Sequence, residues 1–373
     1  MAKILYSLAQ DGRGHASRGY EIIRRLAKQG HKIMVLTGGD TYEPLETAMQ
    51  GMKNVSLHRL PGLQCVYQKN GKIDYAKTVS KNISTLVAGD IIVKKLKKLI
   101  DNYNFDFAIS DFEPFLPRAA KAKKLSFITL DNQHKIVFGK KIAKNMKAKH
   151  IPSYIVTSSV IQSMHPFGRK CIIASVFKPE LKRKKIRKTP IIVVGPLIRN
   201  EVERLKRKVR KQSFVLVYVK PVLEKAIIPI IRGINQKFIM YVKNPEKKKK
   251  SKNIVYKKHS AEKFAQDLAR CKAVVSSAGE QLMSEALYLG KPIFLMPEGG
   301  TFEQTLNGYS VKEAGVGDYE DIAKVEKEDI NNFLGNLALY EKNIKKMRIR
   351  NSIPTVMRII YSEMGKTQKA RKR

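Results

Sequence analysis

Short apolar runs alternate with stretches of helical period along most of the chain, and that alternation sets the first expectation. Lys3 to Ala9 reads as a buried strand, Ala16 to Gln29 as a helix closed by Gly30-His31, and Lys32 to Thr37 as a second strand ending in Gly38-Gly39. Uninterrupted apolar strands separated by helices predict a parallel sheet covered on both faces. Further strands are expected at Val55 to Leu57, Phe107 to Ser110, Ser126 to Leu130, Tyr154 to Thr157 and Ile191 to Val194. Helical period runs over Asp74 to Ile100 and Glu113 to Lys123, whereas Pro61 to Asp74 has no period and reads as a loop.

A second series of strands begins at Phe214 to Val219 and continues through Phe238 to Val242, Ile254 to Tyr256, Val274-Val275 and Ile293 to Met296. Helices are expected from Gly279 to Gly290, from Thr301 to Ala314 and within Ile330 to Glu363. The charged segment Asn200 to Gln212 separates the two series. With 373 residues, and at roughly 100–200 residues per domain, the expectation is two α/β domains, 1–199 and 200–350. Residues 351–373 would form a C-terminal helix able to cross back to the first domain, with a basic tail.

Candidate chemistry concentrates where strands give way to helices. Ser276, Ser277, Ala278 and Gly279 lie between an apolar run and a helical pattern. The first N–H groups of a helix are unpaired and carry partial positive charge, so this turn could cradle a diphosphate. Glu285, further along the same helix, is spaced to reach back toward a ribose, and Glu303-Gln304 in the first turn of the next helix could grip hexose hydroxyls. Each residue alone also has an ordinary structural use, as dipole compensation or turn chemistry. In the first domain, Gly12-Arg13-Gly14-His15 follows the first strand; it is not the dinucleotide fingerprint G-x-G-x-x-G. Asp111 follows another strand end, where a carboxylate either faces the ligand crevice of an open sheet or caps the next helix.

The string S-S-A-G, S-E-A-L-x-L-G-K-P, P-x-x-G-x-x-E-Q-x-x-N-G and E-A-G-x-G resembles the nucleotide-sugar signature of GT-B glycosyltransferases. It is similar to the transferase that adds N-acetylglucosamine to the lipid-linked peptidoglycan precursor, and to the UDP-glycosyltransferases. The resemblance implies two Rossmann-like, doubly wound parallel-sheet domains facing a cleft. It assigns Ser277 and Gly279 to the diphosphate, Glu285 to the ribose, and Glu303 with Gln304 to the donor sugar. Gly12, Gly14 and His15 match the acceptor-side loop, His259 would lie beside the nucleobase, and Pro190 to Arg199 matches the G-P-x-x-R that precedes the hinge. One position departs: relatives carry glycine or serine after the first strand of the second domain, where this chain has Lys220-Pro221. Phosphate binding at that loop is therefore lost or passes to Lys220.

Charge widens the list of partners. A formal net charge of +41 favours phospholipid headgroups, nucleotides, phosphorylated acceptors or nucleic acid, although a lysine-rich composition throughout the source would give the same total. The Lys140 to Lys149 cluster interleaves charge with Ile142, Ala143 and Met146, a weakly amphipathic pattern suited to an anionic membrane. The basic runs contain no aromatic residue on which bases could stack, which disfavours nucleic acid. Cys65, Cys171 and Cys271 form no pair motif, as expected of a reducing compartment. The first apolar run is too short for a signal peptide or anchor, and no spanning stretch occurs. A cytoplasmic location is expected, with peripheral attachment to the inner face of a membrane open to the chain.

The expected activity is transfer of a sugar from a nucleotide-sugar, UDP-linked by resemblance, to an acceptor hydroxyl, with lipid-linked or cell-envelope acceptors included. His15 is the candidate base, since imidazole titrates near neutral pH; it could equally order its loop, and Asp111 is the competing base. No cofactor or metal is expected, because a helix terminus can stabilise the leaving phosphate and no D-x-D pair is present. A nucleotide-sugar 2-epimerase on the same fold is the nearest alternative, and E-Q-x-x-N argues for transferase. A non-catalytic basic binding protein is the alternative from another class; nucleotide-induced stabilisation separates it.

Overall fold

The computed structural model describes residues 1–64, 66, 68, 73–140, 142, 148–163, 166–206, 209–258 and 260–371. The chain divides into two compact units. The first comprises Met1–Val66, Asp74–Leu197 and Ser352–Arg373, and the second Tyr67–Ile73 and Ile198–Asn351.

In the first unit, β1 (Lys3–Leu8), α1 (Arg13–Lys28), β2 (Lys32–Thr37), α2 (Gly39–Ala48) and β3 (Val55–Arg59) come first. Then follow α3 (Tyr75–Val87), α4 (Gly89–Tyr103), β4 (Phe107–Asp111), α5 (Phe115–Ala122), β5 (Phe127–Asp131) and α6 (His134–Phe138). The series continues with α7 (Ile151–Ser163), β6 (Cys171–Ala174), β7 (Lys185–Ile186) and β8 (Thr189–Val194). The sheet runs β3-β2-β1-β4-β5-β6-β8-β7, parallel except for the β7–β8 pair. Central strands are buried on both faces, as their unbroken apolar runs require: Ile4, Leu5, Tyr6, Phe107 and Ile109 are inaccessible to solvent.

The second unit holds α8 (Asn200–Leu205), β9 (Val215–Tyr218), α9 (Glu224–Arg232), β10 (Phe238–Val242), β11 (Ile254–Lys258) and α10 (Ala261–Arg270). It continues with β12 (Ala273–Ser276), α11 (Glu280–Tyr288), β13 (Ile293–Leu295), α12 (Phe302–Glu313) and β14 (Gly317–Tyr319). Helices α13 (Lys327–Gly335) and α14 (Leu337–Met347) complete it. Its six-stranded parallel sheet has the order β11-β10-β9-β12-β13-β14. The last helix, α15 (Ile353–Arg371), returns to the first unit, where Ile353, Val356 and Ile360 are buried in the core containing Ile4, Ile22 and Ile23.

Among the elements that differ from the sequence expectation are one helix and two strands. Tyr154 to Thr157 lies inside α7 and is not a strand; a short apolar run has no decided period, so length and neighbours settle its state. Cys171–Ala174 is a fully buried strand that four residues were too few to announce. At β14 the cue was steric: a Cβ on Gly317 would sit 1.9 Å from the Ile293 carbonyl oxygen, so only glycine admits this strand against β13.

Both sheets wind outward in two directions from a central pair. In the first unit the direction reverses between β1 and β4, and in the second between β9 and β12. Ligands of open α/β sheets bind beyond the carboxyl ends of strands at such points. Among the described residues no helix is long and apolar enough to cross a membrane.

Candidate functional site

At the reversal point of the first unit, the segment after β1 meets the end of β4. Gly12 has φ 90°, a left-handed backbone that favours glycine, and it turns the chain directly into α1. The helix starts at Arg13, earlier than the apolar period suggests. Gly14 and His15 therefore sit in its first turn and not in a loop.

His15 is 6% exposed, and its Nδ1 lies 2.8 Å from Oδ1 of the fully buried Asp111. Arg18, three residues along α1, donates from Nε to Asp111 Oδ2 at 2.7 Å and from its second arm to Oδ1. Its remaining arm donates to Asn132 Oδ1 at 3.0 Å. Burial alone raises the Asp111 carboxyl, but the Arg18 charge, then His15, and their hydrogen bonds carry it below the ordinary aspartate value.

Arg18 Nη2 also lies 2.8 Å from His15 Nδ1. A guanidinium only donates, so its contact needs the Nδ1 lone pair, whereas a bond from Nδ1 to the carboxylate needs a proton there; the two contacts require opposite states of Nδ1. An ionised Asp111 can only accept; it selects the tautomer with the proton on Nδ1 and leaves Nε2 with its lone pair. Asp111 is not the cap of α5. Glu113 takes that part, accepting the backbone N–H groups of Phe115 and Leu116, both at 2.8 Å. Between the two acids Phe112 adopts φ 53° and stacks on His15 with ring centroids 6.4 Å apart.

At the reversal point of the second unit, the turn 277–279 joins β12 to α11. Gly279 occupies the N-cap with no side-chain cap, and Glu280, 8% exposed, is the acidic residue of the first turn; a helix N-terminus favours an anion through its N–H groups and dipole. A Cβ on Gly279 would meet nothing within 4 Å. Asn307 of α12, fully buried, donates to the Ala278 carbonyl at 2.9 Å and pins this turn. Ser276 uses its hydroxyl differently, donating to the Tyr218 carbonyl at 2.7 Å. It ties β12 to β9.

Lys220 follows β9, and its Nζ donates to Glu298 Oε2 at 2.9 Å. Glu298 follows β13 and is fully buried. Since β12 lies between β9 and β13, this ion pair bridges loops on either side of the diphosphate turn. Gln304 is fixed too: its Oε1 accepts the Glu298 N–H at 3.0 Å, which leaves the amide N–H₂ as its group for a ligand. Glu303 is half-buried in the first turn of α12.

Glu285 is 1% exposed and clasped by Arg199, whose Nε donates to Oε1 at 2.8 Å and Nη2 to Oε2 at 2.7 Å. Gln281 Nε2 adds a bond to Oε1 at 2.9 Å. Oε2 is the less encumbered oxygen. His259 lies outside the described residues.

The structure thus gathers His15 with Asp111, and Lys220, Ser276, Ser277, Gly279, Glu285, Glu303 and Gln304 within the loops and helices around one turn. It adds Arg18, Asn132, Arg199, Glu298 and Asn307. The G-P-x-x-R and E-Q-x-x-N strings contained signals for Arg199 and Asn307. Arg18 stands at helical spacing from His15, and only the fold reveals Asn132 and Glu298.

The chain matches glycosyl transferase family 1 over residues 2–338, and it belongs to that family. An uncharacterized glycosyltransferase of Methanosarcina acetivorans is 23% identical, with 98% of this chain and 99% of that one covered. Among solved structures, Medicago truncatula UGT71G1, complexed with UDP-glucose, superposes with a TM-score of 0.64 at 15% identity, covering 97% and 98% of the two chains. Glycyrrhiza uralensis UGT73P12, complexed with glycyrrhetinic acid 3-O-monoglucuronide, gives 0.64 at 14% identity and covers 100% and 97%. The fold is GT-B.

Proposed function

We propose that this glycosyltransferase moves a hexosyl or N-acetylhexosaminyl group from a UDP-sugar to an acceptor hydroxyl. The observation that carries the reading is the uncapped N-terminus of α11 at the reversal point of the second sheet, pinned by Asn307 and flanked by Lys220. Backbone N–H groups at Ser277 to Gly279 bind the diphosphate, Glu285 accepts from the ribose through Oε2, and Glu303 and the Gln304 amide hold the sugar. UDP-bound neighbours on the same fold support a nucleotide-sugar donor.

In the transfer step His15 Nε2 takes the proton as the acceptor oxygen attacks the anomeric carbon. The bond from that carbon to the phosphate oxygen breaks, and its electron pair leaves with the nucleoside diphosphate. Asp111 stabilises the imidazolium that forms, while the α11 terminus and Lys220 stabilise the departing charge. This scheme uses no metal or cofactor.

The excess positive charge fits peripheral attachment to an anionic membrane, and with it a lipid-linked or cell-envelope acceptor. Thermal shift across a panel of UDP-sugars tests the donor assignment. Stabilisation by UDP and by one or a few UDP-sugars is expected. A melting temperature unmoved by millimolar UDP and by every UDP-sugar would sink the reading.

A further inference from the structure

Surface helices turn their apolar side chains inward; α3 does the reverse. Asn82 is 6% exposed and clasps the Gln64 backbone, donating to its carbonyl at 2.7 Å and accepting its N–H at 2.9 Å. Thr78 accepts the Val66 N–H at 2.9 Å. With Thr78 and Asn82 committed inward, α3 presents Val79, Ile83 and Val87 to solvent at 58, 53 and 77% exposure, flanked by exposed Lys77, Ser80, Lys81 and Ser84. Ile91 of α4, 56% exposed, extends the series. The bonds from Ala88 N–H to Ser84 O and from Ile92 N–H to Ala88 O carry the helical pattern across the junction. These aliphatic side chains therefore form a slowly winding stripe at a spacing of four.

Charge decides what covers the stripe. Beyond Ile91 the exposed surface continues as Lys94, Lys95 and Lys98, on a chain of net charge +41. A second copy would bring the same lysines and the same total charge against them, which opposes self-association. A phase both apolar and negative suits the stripe and its extension together. The other apolar helix, α7, exposes Ile151, Ile155, Val156 and Val160, with Ser159 and Gln162 among them, but it has no lysine or arginine in its span; the apolar stripe that continues into a cationic one is that of α3 and α4. We propose that α3 lies in the headgroup–acyl boundary of an anionic bilayer, with Val79, Ile83, Val87 and Ile91 among the acyl chains and the α4 lysines on lipid phosphates. The proposal rests on the peripheral attachment proposed above and assigns it to one helix.

The chain has no tryptophan, so one indole reports on one place. Full-length Ile83→Trp is mixed at low salt with vesicles of phosphatidylcholine and phosphatidylglycerol, and Val255→Trp, on the exposed edge of the second unit's sheet, serves as control. The expected result is a blue shift and quenching by brominated acyl chains for Ile83→Trp alone. The Val79→Ser/Ile83→Ser/Val87→Ser variant should keep the parental melting temperature and bind these vesicles at least ten-fold more weakly. Sedimentation with anionic vesicles but no quenching of Ile83→Trp would leave attachment to charge alone and overturn the role of α3. Absence of sedimentation would overturn attachment as well. Equal binding to pure phosphatidylcholine, or a dimer in sedimentation velocity that the triple variant abolishes, would overturn the choice of occupant.

Discussion

Arg18 and Asp111 form a two-pronged ion pair inside the first unit, with 6% and 0% side-chain exposure. The pair stands beside the proposed base: the same Asp111 oxygen accepts from Arg18 and from His15. Breaking a buried pair by removing one partner costs roughly 3–5 kcal/mol, because the other charge is left uncompensated. Arg18→Met should lose about that much in chemical denaturation at pH 7. The loss should shrink toward pH 4 as the stranded carboxyl takes up a proton.

The pH dependence of the parent follows from the same carboxyl. Asp111 is held below its ordinary value in the fold, against about 3.9 unfolded. A depressed folded pKa means the unfolded chain binds more protons as pH falls. The stabilisation is fully present above the unfolded value and is lost as pH drops through the folded one. Unfolding at stepped pH should therefore show an acid loss below about pH 4 that Asp111→Asn lacks. Equal acid slopes in parent and variant would contradict the assignment.

Arg199 and Glu285 make the matching relationship in the second unit. If Glu285 holds the ribose, Arg199 orients it, and both substitutions should weaken nucleotide binding. Glu285→Ala should cost about 1.5–3 kcal/mol, the range for hydrogen bonds to a charged group. Arg199→Ala should cost a similar amount and add little to Glu285→Ala in the double variant, since the two share one network. Calorimetric titration with UDP measures all three, and additive losses would separate Arg199 from the ribose site.

Gln304→Ala removes the amide assigned to the sugar together with the bond to the Glu298 backbone. A stability loss of about 0.5–1.5 kcal/mol is expected for one hydrogen bond. Free UDP should bind almost as in the parent, and preference among UDP-sugars should narrow. If UDP affinity falls as far as UDP-sugar affinity, the amide does not serve the sugar.

Much of this was written in the chain, for identifiable reasons. Buried strands such as Phe107–Asp111 and Ala273–Ser276 announce themselves because both faces are apolar. Glycine turns at Gly12 and Gly279 mark where helices begin. What the pattern could not give was pairing at a distance. Nothing near Asp111 says that it faces His15 and Arg18 while Glu113 caps the helix, since both acids are equally plausible caps in sequence. Glu298 looks like a loop residue until the strand order sets β9 and β13 on either side of β12. Helix α3 was legible as a helix, but its inversion was hidden, because period alone does not say which face points inward.

The central claim is that the turn at Gly279 receives a diphosphate, and Gly279→Asp tests it most directly. Gly279 has φ −73° and no neighbour within 4 Å of a Cβ, so aspartate fits there without strain. A negative charge at the N-terminus of α11 should hold the fold or stabilise it by about 0.3–1 kcal/mol. The same charge would stand where the account places the phosphates. Calorimetric titration with UDP should show binding to the parent and at least a ten-fold loss in Gly279→Asp, with its melting temperature equal or higher. Equal UDP affinity in the two proteins, or no binding to the parent, would contradict the account.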